Sequence, residues 1–210
     1  MSEISKLLGA QKVIIGSVKG IGSLKANYKT ITLSGGDLIN NPEINDENIL
    51  SMGALAFFDY WSIEDKNEFD GLKISIERKL NGSIKKAEAS YGIDTLEMIK
   101  TNIKECVKVG NAFNTRNYDE IYSQLYFDIK DKTSVNEFKS QLNEIDSIYG
   151  VVKAFKITRF STYSATQNDG SELPIVNYLM EVQRDSFITN IHFKYSLSKK
   201  QPGILDLNIE

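Results

Sequence analysis

The two side chains most often used in catalysis and metal binding occur once each. His192 is the single histidine and Cys106 the single cysteine in 210 residues. A lone cysteine excludes an internal disulfide and a cysteine-rich zinc site, and a histidine-based metal site would have to rely on carboxylates. His192 falls on the polar face of a predicted strand, and the spacing supplies no carboxylate to orient it as a base. We therefore predict a partly exposed strand residue and expect no catalytic residue, metal or cofactor.

Acidic and aromatic residues cluster around the second predicted helix of the C-terminal half. The group comprises Asp119, Asp128, Asp131, Tyr118, Tyr122 and Tyr126. A carboxyl group can serve as a base when an apolar pocket raises its pKa. Asp128 and Asp131, however, flank Lys130 in a polar stretch, and this pattern favours a solvated loop.

Two further motifs fit structural roles better than chemical ones. The glycine-containing stretch 16–23 lacks the order of a phosphate-binding loop and the third glycine of a dinucleotide fingerprint, so it indicates a hairpin turn. Glu43, Asp46 and Glu47 lack the spacing of an EF-hand. Their place at the start of a predicted helix is explained by the helix dipole.

Composition restricts the class of partner and the compartment. The chain carries 25 Lys+Arg and 28 Asp+Glu, a net charge of −3, and a dedicated nucleic-acid binder would need a basic excess. The longest apolar runs are too short to span a membrane, and Glu3, Gln11 and Lys12 interrupt any secretion signal. We expect a soluble, bacterial protein. It would be cytoplasmic if Met1 is the native start and exported if a signal has been removed.

Three helix-start signals occur in the second half, in the segments 94–97, 117–120 and 134–137. Each places Asp, Asn or Ser three residues before Glu, as in a capping box. They predict a long helix over 95–112, a short helix, and a third helix that ends at Gly150. The apolar stripe of the third helix would comprise Phe138, Leu142, Ile145 and Tyr149.

After Gly150 the hydrophobic period changes from 3.6 to 2, which predicts strands. A slip in the alternation near Arg159 indicates a bulge. Four antiparallel strands are expected, over residues 151–166, 173–184, 187–197 and 205–209.

The first half is also predicted to mix helices and strands. Asn81-Gly82 is the strongest short hairpin signal. The predicted elements are strands 12–18 and 26–33, a loop 35–45, a helix 46–61, and strands 72–80 and 83–91. The helix is apolar over nearly its whole circumference, so it is either buried between the hairpins or meets a partner.

The segment 113–122, FNTRNYDEIY, and the stretch from Ser134 to Gly150 resemble small bacterial members of the NTF2-like (cystatin-like) fold. The resemblance covers residues 94–210 and implies a curved sheet wrapped around the long helix. Some members of this fold are isomerases or dehydratases with an acidic or histidine base and a tyrosine donor. Many others bind partners, so the fold does not fix the function.

The sequence therefore predicts an α+β protein with an N-terminal domain 1–93, built of β-hairpins around a buried helix, and an NTF2-like domain 94–210. We expect a non-enzymatic binding or structural module whose partner is a protein, a second copy or a small ligand. The alternative is a small-molecule isomerase or hydratase with an NTF2-like pocket. The candidate binding residues are the aromatics Phe57, Tyr60, Trp61, Tyr178, Phe193 and Tyr195.

Overall fold

The computed structural model describes residue 6 and residues 9–20, 26–167, 170–185, 187–198 and 202–210. The chain divides into two compact units, Met1–Met98 and Ile99–Glu210. Each unit mixes helices and strands, as the sequence predicts. The dividing line lies within one long helix, whereas the sequence pattern predicts it just ahead of that helix.

The first unit contains one four-stranded mixed sheet. Its strands are β1 (Lys12–Val18), β2 (Tyr28–Ser34), β3 (Gly71–Leu80) and β4 (Ser83–Gly92), in the order β1-β2-β3-β4. The two predicted hairpins are antiparallel, and a parallel pairing of β2 with β3 joins them into one sheet. The turn of the second hairpin takes positive φ at Asn81 (50°) and Gly82 (81°), the conformation that this dipeptide favours.

Helices α1 (Asp37–Asn40), α2 (Asp46–Asp59) and α3 (Ile63–Glu68) connect β2 to β3. The prediction of a loop over 35–45 was wrong for residues 37–40, where α1 forms directly after two glycines with positive φ, and right for the rest of the segment. The apolar helix α2 is buried over most of its surface and contacts β3 and β4. It ends two residues before the predicted limit, where Tyr60 and Trp61 turn back to bond the carbonyls of Phe57 and Phe58.

The second unit follows the predicted order of helices and then strands. Its elements are α4 (Ile93–Thr115, which crosses the dividing line), α5 (Tyr118–Gln124), α6 (Phe127–Lys130), α7 (Val135–Tyr149), β5 (Ala154–Thr166), β6 (Glu172–Gln183), β7 (Ile188–Ser196) and β8 (Gly203–Ile209). The four strands form one antiparallel sheet in sequential order, with a bulge between Ile157 and Arg159. The bulge lies where the alternation slips.

Two of the three predicted helix starts are confirmed. The Asn117 side chain caps α5, and Ser134 forms a complete capping box with Glu137 at the start of α7. Asp94 is not a cap, because α4 begins directly after β4 and the Ile93 amide bonds the Asp70 carbonyl at 3.1 Å. The polar stretch around residue 130, predicted to be a loop, holds the short helix α6.

The sheet of the second unit packs on the C-terminal part of α4. The Tyr178 hydroxyl donates to the Ile99 carbonyl at 3.0 Å. A Cβ added at Gly110 would lie 2.5 Å from the Phe155 ring, so only glycine allows this close approach. Parts of the glycine-rich stretch 16–23 and of the connections between the four predicted C-terminal strands lie outside the described residues. No helix in the described ranges has the length and apolar character needed to cross a bilayer.

Candidate functional site

The predicted aromatic binding residues are mostly core residues. Only Tyr60 among them is exposed, while the buried ones are Phe57, Trp61, Tyr178, Phe193 and Tyr195. Burial raises the pKa of the Tyr178 hydroxyl, which is already bonded to a backbone carbonyl. These buried rings stabilise the two units by packing in their hydrophobic cores.

His192 is a partly exposed residue of β7, as predicted, on the face opposite the buried Ile191 and Phe193. Its Nε2 lies 3.6 Å from a carboxylate oxygen of Glu210. Sequence spacing could not reveal this neighbour, because the pairing of His192 with Asn208 across β7 and β8 brings the two side chains together. Both groups lie at the surface of the sheet, where a charge pair is weak.

The predicted acidic and aromatic group does not converge on one site. The exposed Asp119 pairs with Lys139 at 2.6 Å, and the Tyr122 hydroxyl donates to the Thr133 carbonyl at 2.9 Å. Tyr118 points instead to a carboxylate outside the predicted group, on α7.

That carboxylate, Asp146, occupies a core position on α7. The buried residues of this helix are Phe138, Leu142 and Asp146, at a spacing of four. The sequence pattern placed Tyr149 on the buried stripe, but the inward face continues through Asp146 and Tyr149 is left exposed. A buried carboxylate needs compensating partners.

Three groups supply that compensation. Asp146 accepts hydrogen bonds from Arg184 Nη1 at 2.8 Å and from the hydroxyl of Tyr118, and it forms an ion pair with Arg116, whose Nε lies 3.3 Å from a carboxylate oxygen. Burial, followed by the hydrogen bond to Asp146, raises the pKa of Tyr118 well above its usual value. With both carboxylate oxygens engaged, the arrangement is typical of a structural ion pair and not of a general base.

Arg184 connects the end of α7 to the turn between β6 and β7. It directly follows β6 and is buried. Besides Asp146, its guanidinium donates to the Gly150 carbonyl at 2.5 Å and to Thr189 Oγ1 at 3.1 Å. Its backbone amide donates to the Phe187 carbonyl at 2.8 Å. We call Arg184, Asp146 and Tyr118 the arginine hub.

Four large apolar side chains project from the segments that the arginine hub connects. Their exposed fractions are 60% for Ile148, 41% for Tyr149, 55% for Phe187 and 68% for Ile188. The rings of Tyr149 and Phe187 meet edge to face, with centroids 6.1 Å apart and an angle of 89°, so the two segments share one surface. We call these four residues the apolar patch.

Polar groups beside the apolar patch further fix its geometry. Asp185 accepts from the Val151 amide at 3.3 Å and pairs with Lys153 at 3.1 Å. Its hydrogen bond with Lys153 holds the pKa of the Asp185 carboxyl below its usual value. Gly150 has a φ of 81°, and a Cβ there would lie 2.9 Å from an Asp185 oxygen, so this turn requires glycine.

A second feature is an open depression of about 250 Å³ between the end of α4 and the start of α5. It is lined by Lys108, Asn111, Ala112, Thr115, Asn117 and Glu120. Three of its polar side chains already have partners within the protein. Lys108 pairs with Glu105, Thr115 donates to the Asn111 carbonyl, and Asn117 caps α5. The depression therefore offers a poorer site than the apolar patch.

The described residues contain no group of three or more His, Cys, Asp or Glu side chains placed to hold a metal ion. No family model matches the chain, and no curated protein or solved structure matches it significantly.

Proposed function

We propose that the protein is a non-enzymatic binding module, with an NTF2-like second unit that contacts a protein partner through the apolar patch. The carrying observation is the exposure of Ile148, Tyr149, Phe187 and Ile188 on segments held by a buried ion pair. Exposed apolar side chains that contact one another across two segments, as the rings of Tyr149 and Phe187 do, are typical of interaction sites in folded proteins. The order of helices followed by an antiparallel sheet supports the NTF2-like assignment.

The arginine hub gives the patch the rigidity that a binding surface needs. Arg184 bonds both segments, so the contact between Tyr149 and Phe187 does not depend on the two rings alone. A preorganised surface loses less conformational entropy on binding. Aromatic side chains such as these are also enriched at interface centres.

The alternative, an isomerase or hydratase, would draw on the proximity of His192 and Glu210. An enzyme of that class needs polar groups that converge in a pocket. His192 lies on the outer face of the sheet, and Tyr178, Phe193 and Tyr195 occupy the inner face. This arrangement supports the binding module over the enzyme.

Site-specific photocrosslinking in cells tests the proposal. A benzophenone side chain at position 187 should give a discrete crosslinked protein, whereas the same probe at Tyr163, an exposed aromatic position on β5, should not. Excess wild-type protein should compete for the crosslink, and a double variant with Ile148→Ser and Ile188→Ser should not. Equal crosslinking at both positions would contradict the proposal.

A small-ligand screen by thermal shift tests the alternative. Binding at the apolar patch predicts that wild type and His192→Ala respond alike to every compound. A compound that stabilises the wild type by several degrees, but not His192→Ala, would favour the enzyme.

A further inference from the structure

Strand β1 forms an edge of the sheet in the first unit and exposes apolar side chains on both faces. Among the described residues, no strand pairs with its outer side. Ile14 is 49% exposed, Ile15 40% and Val18 53%. An edge strand offers backbone N–H and C=O groups that can pair with another chain.

The two edges of this sheet differ in how they are protected. At the opposite edge, β4 carries the exposed charges Lys85, Lys86 and Glu88, which oppose pairing with another strand. Strand β1 has the sequence KVIIGSV, with a single charge at Lys12 and no proline. Its seven residues pair with β2 without a bulge, so the edge remains straight enough to accept a strand.

The sequence of β1 is complementary to itself in antiparallel register. When all seven residues pair with a second copy, Ile15 faces Ile15 across a two-fold axis. The other opposed pairs are Ile14 with Gly16, Val13 with Ser17, and Lys12 with Val18. No like charges face each other in this register. Because Ile15 of one copy lies opposite Ile15 of the other, the pairing has the two-fold symmetry of a closed dimer.

This register also keeps the buried faces of the two sheets on the same side. Ile15 pairs with Ile31 of β2, and Ile31 pairs with Ile74 of β3. Ile31 and Ile74 are buried. Because paired residues in a sheet lie on the same face, Ile15 continues the apolar row of the core. A second copy would extend this row without a break.

We propose that two copies of the protein pair through the outer edges of β1 and form a continuous eight-stranded sheet. The occupant of the edge is thus a second copy of this chain. The proposal rests on the first unit and is independent of the apolar patch in the second.

Charge substitutions at Ile15 test the register in the full-length protein. Wild type should sediment at twice the monomer mass at micromolar concentrations. Ile15→Lys and Ile15→Glu should each be monomeric, because each places like charges opposite one another, and a mixture of the two should restore the dimer. Ile84→Lys on β4, also an exposed position, should leave the dimer intact.

Disulfide trapping provides a second measurement that does not require a destabilising charge. Directly opposed residues of antiparallel strands have Cα atoms about 4.5–5.5 Å apart, which lies within the range of about 4.4–6.8 Å that a disulfide spans. Mild oxidation of Ile15→Cys should give a covalent dimer and oxidation of Ile84→Cys should not. The native Cys106 is buried and does not compete.

Three results would overturn the proposal. They are a monomeric wild type, a dimer that persists in Ile15→Lys, and a dimer lost in Phe187→Ser but not in Ile15→Lys. The last result would move the dimer contact to the apolar patch. Failure of the crosslink at position 187 would contradict the proposed function and leave the β1 dimer standing.

Discussion

Replacing Asp146 with alanine should lower the free energy of unfolding of the second unit by about 4 kcal/mol. The substitution leaves the buried guanidinium of Arg184 without its counter-charge, and breaking a buried pair from one side costs about 3–5 kcal/mol. It also leaves the buried Tyr118 hydroxyl without an acceptor, at about 1–3 kcal/mol. The two costs overlap because both donors bond one carboxylate. The loss approaches the whole stability of a small domain, about 5–15 kcal/mol.

A double-mutant cycle separates the net contribution of the Asp146–Arg184 pair to the free energy of unfolding from the cost of removing one partner alone. Arg184→Met should be destabilising, since among the described residues it leaves the buried Asp146 with only the half-exposed Arg116 as a cation. Combining Asp146→Leu with Arg184→Met should recover most of the loss, because buried pairs can be replaced by apolar side chains at little net cost. Recovery should be incomplete, since the Gly150 carbonyl and the Thr189 hydroxyl lose their donor.

The assay must report on the second unit alone. Trp61 is the single tryptophan and belongs to the first unit, so its fluorescence is not suitable. Hydrogen exchange of the α7 amides during urea titration is suitable, because all of these amides belong to the second unit. Lys153→Ala is the control, because its pair with Asp185 is about half exposed and should contribute under about 1 kcal/mol. A loss for Asp146→Ala no larger than that of the control would refute the role of the arginine hub.

Two further predictions concern the single cysteine and the single histidine. Burial raises the pKa of Cys106 from its usual 9.0 to about 12, so the folded state retains a proton that the unfolded state loses between these values. Stability should therefore fall between pH 9 and 12. Cys106→Ala should flatten this fall by up to about 1.4 kcal/mol per pH unit, and identical slopes in thermal unfolding would contradict the burial. His192→Ala should change the free energy of unfolding by less than about 1 kcal/mol, and a larger loss in urea titration would assign His192 a structural role.

Local signals predicted the elements well, because the chain itself supplies the atoms that define each boundary. Ser134 and Glu137 bond each other within one turn, and Asn117 accepts from an amide three residues on. Gly150 and Asn81-Gly82 adopt positive φ, which few other residues tolerate. Interactions over three or four residues can be predicted from the sequence except where a distant segment replaces them, as the Asp70 carbonyl does at the start of α4.

The candidate site could not be predicted in this way, because its partners are distant in the chain. Asp146 and Arg184 are 38 residues apart, and no periodicity indicates that a carboxylate will take the third core position of α7. The apolar pattern instead predicted burial for Tyr149. Asp146 takes the inward position that an apolar residue would normally hold, and Tyr149 is left at the surface.

The first unit uses a buried arginine in a comparable way. Arg78 follows the buried Leu72, Ile74 and Ile76 on the core face of β3. It donates to the Ile44 carbonyl at 3.0 Å, and also to the Asn41 carbonyl and to Asp46. Its guanidinium thereby bonds two carbonyls of the connection between α1 and α2 and holds this connection against β3.

The hydrogen bonds of a buried arginine also explain why the apolar patch of the second unit is exposed. A guanidinium that bonds several groups on two segments fixes the direction of both backbones. Arg184 bonds the Gly150 carbonyl, Thr189 and Asp146 through its guanidinium and the Phe187 carbonyl through its amide. A change of backbone direction in either segment would break at least one of these bonds, and a bond to a charged group contributes about 1.5–3 kcal/mol, comparable to the gain from burying one aromatic ring. The bonds of Arg184 therefore favour the conformation in which Tyr149 and Phe187 are exposed.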